Sequence, residues 1–569
     1  MYSSNLNQRI LQALLVAHGV RKFVVSPGGT NPAMVMSLQM DNRFELYSCV
    51  DERSAGYMAC GLSEASDEPV GICCTGATAS RNYMSALTEA FYKKIPIVVI
   101  TCSRPNCNIG HLFPQVTNRS VYPKDILVDG EQLQIIKDED DRRDVEFKVN
   151  KALLALTHHG GGPVHFNVET STQFCNVETL PEVKVIRRLG YESEFPVINP
   201  GRIGVFIGSH KSMSSKMTSL IDEFCEKYNA VVLADYTSGY KGKYFHPFAL
   251  LGTQNHKIDS VFDFDLLLHF GEISGDYLTW EFIRAKEVWR INDDGEIRIR
   301  FGSLQYVFEM SETYFFSHYN QLRREKSDMS LYKHHLQIYN DLFANIPELP
   351  LSHIYIAKIL SDKLPCDSVV HFSILNALRS WNFFLIDKSI RTDCNVGGFG
   401  IDGCTSTLIG ASLANPDKIH YLFSGDLAFF YDLNSIGNRH ISNNIRIILV
   451  NDGKGAEFTH FRAMNYDGDR ETFIAGDGHF GNKSKDLIKH FAVDLGFNYI
   501  QIQSCDEFEK HVDEICSPDF QQKPLFVEVI LSDQGQSLSW EVLSNLNRIP
   551  DIEDSTIHKI YRKFKNLRR

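Results

Sequence analysis

At 569 residues the chain is longer than one hydrophobic core usually serves, so two to four domains are expected. Its 43% apolar and 22% charged residues are those of an ordinary globular protein and exclude a long low-complexity chain. The net charge of −12 is spread along the sequence without a basic stripe, which argues against nucleic acid as a partner, and no run of about 18 apolar residues offers a membrane span.

The first twenty residues carry Ile10, Leu11, Leu14 and Leu15 at helical spacing, without the basic flank and cleavage site of a secretory leader, and are expected to form a first surface helix of a cytoplasmic protein. Short β-branched runs then alternate with helical-period segments in three regions, the pattern of parallel sheets flanked by helices. Strands are expected at 22–26, 45–49, 70–74, 95–101 and 163–168, then at 203–208, 230–234, 265–270 and 287–291, and finally at 368–372, 419–424, 445–451 and 525–530. Charge and proline gather without periodicity near 179–200 and 346–351. The expected fold class is therefore α/β, with three doubly wound parallel-sheet domains at 1–185, 186–345 and 346–569. Thirteen cysteines are scattered, Cys73 and Cys74 inside an apolar run and none in C-x-x-C pairs, and they read as reduced core residues. The closing stretch 558–569 holds six Lys or Arg and reads as a solvated terminal helix.

In the third region Ser424-Gly425-Asp426 ends one strand and Asn451-Asp452-Gly453 ends another, with a helix between. The right-handed crossover of such a unit brings both strand ends to one edge of the sheet. There they offer a carboxylate, a side-chain carbonyl and main-chain carbonyls, the hard oxygen donors that suit Mg²⁺ shared with a phosphate. Gly425 and Gly453 let the backbone come close, and the helix beginning at Asp426 favours an anion. The plain alternative is an ordinary turn in which Asp426 caps a helix. In the first region Asp51-Glu52-Arg53-Ser54 opens a helix, where Glu52 could be no more than a favourable charge on the helix dipole.

The Gly-Asp turn, followed about 25 residues later by an Asn-containing turn, resembles the signature of thiamine-diphosphate (ThDP)-dependent enzymes. That resemblance implies that Asp426 and Asn451 hold the metal anchoring the diphosphate, and that Glu52 bonds the cofactor's pyrimidine ring, favouring the imino tautomer that takes the C2 proton and creates the ylid. Two departures stand out: Leu427 replaces a glycine, and the Asn turn reads Asn451-Asp452. Matching Asn-Asp-Gly makes Asn451 the ligand and Gly453 the carbonyl donor; matching the spacing from Asp426 points to Asp452 and the carbonyl of Lys454. The first is preferred because it keeps a neutral amide ligand.

The chain resembles in particular the menaquinone-pathway SEPHCHC synthase branch, a carboligase family acting on 2-oxoglutarate and isochorismate. The residues that carry this are Ser26-Pro27-Gly28, Asp51 to Ala55, Cys74-Thr75, Asn82-Tyr83, Glu89-Ala90 with Tyr92, Arg104-Pro105, Gly162 to Asn167, Gly400 to Gly403, Gly425 to Leu427 and Asp432 to Asn434, with a looser likeness at Leu266–Gly271 and Arg290 to Asn292. The resemblance implies a pyrimidine-binding first domain, a central domain and a diphosphate-binding third, with ThDP and Mg²⁺ as cofactors. It implies that Ile401 is the bulky residue beneath the cofactor, that the Gly400 backbone and the Gly425–Leu427 turn meet it, and that Gln115 faces the reacting centre beside the substrate arginine Arg104. It also implies a homodimer or homotetramer in which Glu52 of one subunit serves a cofactor held by Asp426 of another.

Substrate arginines of that branch are missing at two positions, where Thr30 and Val396 stand, and Arg379 is out of register with a third. Two lost bidentate carboxylate contacts cost several powers of ten in an otherwise identical site, so a different 2-oxo acid or carbonyl acceptor, with less charge, is expected. Glu457 and His460 follow the metal turn as acid or base candidates, against the alternative of a solvated loop pair, with His111, Asn118 and Lys454 weaker. Three readings result. The first is a ThDP- and Mg²⁺-dependent 2-oxo acid decarboxylase or carboligase; the second is a ThDP-dependent lyase or hydrolase of a cyclic diketone or sugar-like ketone; the third is a catalytically inactive binding protein of the same fold, which would have lost Glu52 or Asp426. No flavin fingerprint supports a bound FAD in the central domain.

Overall fold

The computed structural model describes residues 1–119, 121–256, 258, 260–323, 325–460, 471–478, 484, 486–531 and 535–547, with the side chains of Thr459, His460 and Glu471 outside the description. The chain divides into two compact units, residues 1–194 with 295–307 and residues 195–294 with 308–569. The basic stretch 558–569 lies outside the described residues.

In the first unit the apolar runs become parallel strands: β1 Lys22–Val25, β2 Glu45–Ser48, β3 Val70–Thr75, β4 Ile97–Ser103, β5 Asp129–Leu133 and β6 Val164–Glu169. They lie in the order β2-β1-β3-β4-β6-β5. Successive side chains of a strand face opposite ways. Phe23, Val25, Cys73 and Ile100 accordingly bury into one core with Ile10, Leu11, Leu14 and Leu15 of the Leu6–Ala17 helix, while Val24, Ile72 and Cys74 bury into another with Ala55 and Ala86. Each such large apolar side chain contributes about 1.5–3 kcal/mol when fully removed from water. Gly56 lets the Glu52–Ser66 helix press on the Met84–Lys93 helix, since a β-carbon there would lie 2.6 Å from that of Ala86.

The second unit holds two parallel sheets. In the central one β7 Ile203–Ile207, β8 Ala230–Ala234, β9 Asp263–Phe270 and β10 Arg284–Asn292 run β8-β7-β9-β10. The other comprises β11 Val369–Phe372, β12 Arg391–Cys394, β13 His420–Gly425, β14 Ile445–Asn451, β15 Asn498–Ile502 and β16 Leu525–Ile530 in the order β12-β11-β13-β14-β16-β15. The first and last sheets thus repeat one topology, and in each the chain leaves its first strand in one direction and its third in the other. Ligands of open α/β sheets bind beyond the carboxyl ends of the strands at such a reversal, so the fold singles out the ends of β1 and β3 and those of β11 and β13.

Of the sixteen strands numbered above, β5, β12 and β15 escape the sequence pattern. Each lies at a sheet edge, where one side faces water and polar residues are tolerated, so Asp129–Leu133 and Arg391–Cys394 lack the apolar run that marks a central strand. Leu304–Glu309 and Arg187–Leu189 are further strands outside the pattern. All thirteen cysteines are free thiols; seven are buried, but Cys107 and Cys366 are exposed and correct their reading as core residues. Among the described residues no helix is long and apolar enough to cross a membrane.

Candidate active site

In the first unit the reversal point is built from small residues. Gly28, after β1, touches the end of β3: a β-carbon there would meet that of Thr75 at 2.7 Å. Thr30 Oγ1 donates to the Cys102 carbonyl at 2.5 Å and meets Thr75 Oγ1. Asp51 caps the following helix by accepting from Ser54 N at 2.8 Å, which places Glu52 in its first turn. Glu52 is more than a charge on the dipole: its Oε2 accepts from Asn82 Nδ2 at 3.0 Å, and the described residues give its other oxygen no partner. Asn82 closes a short helix entered through Ala77, whose φ of 61° is strained for a residue with a β-carbon.

The chain between β4 and β5 carries Arg104 and Gln115, both exposed, with Gln115 at a φ of 62°. Two arginines fasten the end of this loop. Arg119, 1% exposed, donates through Nη1 to the Thr117 carbonyl at 2.8 Å, and Arg81 Nη2 donates to the Asn118 carbonyl at 2.8 Å. His111 is exposed.

In the second unit β13 and β14 pair with Gly425 opposite Val450, so Asp426 and Asn451 emerge side by side as the β-α-β crossover requires. Asp426 is 3% exposed; its Oδ1 accepts from Leu427 N at 2.7 Å and its Oδ2 from Gly453 N at 2.9 Å. Burial, and then the neighbouring Asp452, push its carboxyl up to about 8, and no cation among the described residues pairs with it. Asn451 is held by a residue that sequence reasoning missed: Glu528 on β16, 1% exposed, takes Asn451 Nδ2 at 2.7 Å on one oxygen and the Tyr499 hydroxyl at 2.5 Å on the other. That bond fixes which way the amide oxygen points. A buried carboxylate inside an apolar strand, as in LFVEVI, was the signal available. Gly453 has a φ of 76°, and its carbonyl accepts from Gly478 N at 3.0 Å. Asp452 Oδ1 accepts from Lys454 N at 3.4 Å. Leu427 covers Gly455 and Gly476, where added β-carbons would lie 3.3 and 3.6 Å from its methyl groups.

Gly400 is exposed and Ile401 half-buried against the core that holds Phe429, in a turn after Phe399 at a φ of 55°. Asp432 accepts from Ser406 N at 2.6 Å and Ser406 Oγ at 2.7 Å, tying that turn's helix to the one after Asp426. Glu457 is no solvated loop residue: both oxygens meet Arg379, at 2.6 and 2.9 Å, and Arg379 is 4% exposed. Arg379 Nε also lies 3.8 Å from buried Asp276, whose carboxyl burial raises to about 6. The side chain of His460 lies outside the described residues. Val396 is buried.

Residues 7–121 match the family model described as thiamine pyrophosphate enzyme, N-terminal TPP binding domain. Together with the repeated sheet, whose reversal points carry Glu52 nearby and Asp426, this makes the protein a ThDP-dependent enzyme. It is 30% identical over 566 residues to the 2-succinyl-5-enolpyruvyl-6-hydroxy-3-cyclohexene-1-carboxylate synthase of Phocaeicola vulgatus, covering 93% of this chain and 96% of the relative. The synthases of the same name from Bacteroides thetaiotaomicron and Flavobacterium psychrophilum are each 29% identical, over 93% and 87% of this chain and 96% and 89% of their own. The chain belongs to the SEPHCHC synthase branch of the ThDP-dependent enzymes.

Proposed function

We propose that the protein is a ThDP- and Mg²⁺-dependent 2-oxo acid decarboxylase or carboligase that works as a homodimer or homotetramer. The observation that carries this reading is the oxygen cluster at the end of β13 and β14: a buried Asp426, with no cation paired to it among the described residues, beside Asp452 and an Asn451 whose amide is locked by Glu528. Hard oxygen donors gathered at one buried sheet edge suit Mg²⁺ bound with a diphosphate, so these residues fit the group. Asp426 and Asn451 would hold the metal, with Asp452 and Gly453 beside them, while Gly425, Leu427 and Gly400 supply backbone and Ile401 an apolar support. When bound, ThDP supplies at its thiazolium C2 the nucleophile and electron sink for a 2-oxo acid.

Glu52, steadied by the Asn82 amide, would hold a proton on the pyrimidine ring; Gln115 and Arg104 would bind substrate. Glu457, fixed by Arg379, would keep a carboxylate near the metal turn in one orientation. Subunit association is supported by exposed apolar residues next to the glutamate in the chain, Val50, Tyr57 and Met58 among them. The test is CO₂ release from a panel of 2-oxo acids by the protein with ThDP and Mg²⁺. Turnover of at least one is expected, and Glu52→Gln should remove it, by about 100-fold or more, while ThDP binding persists. Tight ThDP binding with no turnover of any 2-oxo acid would overturn the reading.

A further inference from the structure

We infer that the second unit carries a further ligand site, for a small organic phosphate, in the cavity between the loops that leave β7 and β8 and the end of β12. This site is independent of the 2-oxo acid reading above. In the central sheet the chain passes from β7 to β8 on one side and then to β9 on the other, so this sheet too has a reversal point at the carboxyl ends of its strands, where ligands of open α/β sheets bind. Between β7 and β9 that crevice is closed by main chain. Gly208 N donates to the Phe270 carbonyl at 2.9 Å, Glu272 N donates to the Ser209 carbonyl at 2.8 Å, and a β-carbon at Gly208 would lie 1.9 Å from the Glu272 oxygen. What stays open is the β8 side of the β7 loop, a cavity of about 430 Å³, which is within the range of small-molecule sites and more than one oxyanion fills.

The charge of this cavity is lopsided. Lys211, Lys241 and Arg391 line it with a single carboxylate, Asp393, and none of the three cations forms an ion pair with a described residue. Asp393 Oδ1 accepts instead from Cys394 N at 2.8 Å, and His210, also at the cavity, lies 3.7 Å from Glu312. Lys241 is half-buried and donates to the Ile390 carbonyl. Burial, and then the nearby Arg391, hold its ammonium down to about 8, a penalty that an anion in the cavity would offset.

Neutral donors gather at the same place. The hydroxyls of Ser209 and Ser212 and the main-chain N–H groups of Lys211 and Ser212 donate to no described residue. The helix Ser215–Tyr228 starts just beyond, with its Ser214 cap accepting from Met217 N at 3.2 Å, so the β7 loop ends on the positive pole of a 14-residue helix. Gly239, at a φ of 66°, lets the β8 loop close against it, since a β-carbon there would lie 2.5 Å from the Lys211 carbonyl. Three cations, open hydroxyls and a helix N-terminus suit a tetrahedral dianion, and the remaining volume suits the carbon skeleton of an ester. The cavity shares no residue with the Asp426 and Asn451 turns, so ThDP and Mg²⁺ held there do not fill it.

The experiment titrates two series calorimetrically into the full-length protein saturated with ThDP and Mg²⁺: glucose 6-phosphate, glucose and glucuronate, and glycerol 3-phosphate, glycerol and glycerate. In at least one series the phosphate is expected to bind about tenfold or more tighter than both the alcohol and the carboxylate. Lys211→Gln and Arg391→Gln, both at exposed positions, should each weaken that binding by about fivefold or more and leave ThDP binding unchanged. Lys286→Gln, on β10 and paired with Asp265 outside the cavity, should leave the phosphate binding as it is. No phosphate binding in either series, a carboxylate that binds as tightly as the phosphate, binding that survives both cavity substitutions, or an equal loss in Lys286→Gln overturns the site.

Discussion

Replacing Glu528 separates the two metal-ligand assignments at the Asn451 turn. Glu528→Leu removes the acceptor of Asn451 Nδ2 at 2.7 Å and of the Tyr499 hydroxyl at 2.5 Å, in a place 1% exposed where water does not readily substitute. A hydrogen bond to a charged acceptor contributes about 1.5–3 kcal/mol, and loss of a group that orients a metal ligand typically costs about 10–100-fold in metal affinity, or roughly 1.4–2.7 kcal/mol. Glu528→Gln keeps the volume and one acceptor for Asn451, while its amide can face a Tyr499 oxygen that accepts, so a loss of only a few-fold is expected, about 1 kcal/mol or less. The assay is a Mg²⁺ titration of ThDP binding, followed by intrinsic fluorescence, on variants shown to be folded by circular dichroism. If Asn451 is the ligand, the Mg²⁺ midpoint rises about 10–100-fold in the leucine variant and far less in the glutamine one. Wild-type Mg²⁺ affinity in a folded Glu528→Leu protein would refute this reasoning and favour Asp452.

Arg379 should behave as the centre of a buried charge cluster: Arg379→Met strands Glu457 and Asp276 and should cost about 3–5 kcal/mol in urea unfolding, whereas adding Glu457→Gln should recover part of that loss. Strict additivity of the two changes would contradict the pairing. Asp426 predicts a pH signature for the protein without metal. Its carboxyl is raised to about 8 from an ordinary 3.8, so the stability linked to its protonated form is fully present below about pH 4 and lost as pH rises through about 8. Asp426→Asn should therefore flatten the fall in melting temperature between about pH 5 and about pH 8, and saturating Mg²⁺ with ThDP should do the same for the wild type. Buried His165 and His353, held down at about 3, act in the opposite sense and remove stability as pH falls below their ordinary value, so the Asp426→Asn difference is the quantity to measure. An Asp426→Asn curve parallel to wild type would refute the account of that carboxyl.

The strands whose side chains are buried on both faces were readable because their apolar runs are continuous, as in Ile445–Asn451 and Leu525–Ile530. The edge strands were not, because half of their residues face water and resemble loop. The glycine-acid turns were legible as turns, but Glu52 and Asp426 stood out as candidate chemistry only through the family resemblance, since a helix-dipole charge and a helix cap account for those residues locally. Their partners were hidden by distance in sequence: Asn82 lies 30 residues from Glu52, Glu528 lies 77 from Asn451, and Arg379 lies 78 from Glu457. A lone Arg119 likewise reads as a surface charge until the sheet folds it beneath Ser103 and Asn167.

The central claim is that Glu52 governs proton removal from ThDP. It is tested most directly by the rate of hydrogen–deuterium exchange at C2 of the protein-bound cofactor, followed by acid quench and proton NMR in wild type and Glu52→Gln. The account expects exchange much faster than for free ThDP in the wild type, and slower by about 100-fold or more in the variant at equal cofactor occupancy. Equal exchange rates in the two proteins would contradict it.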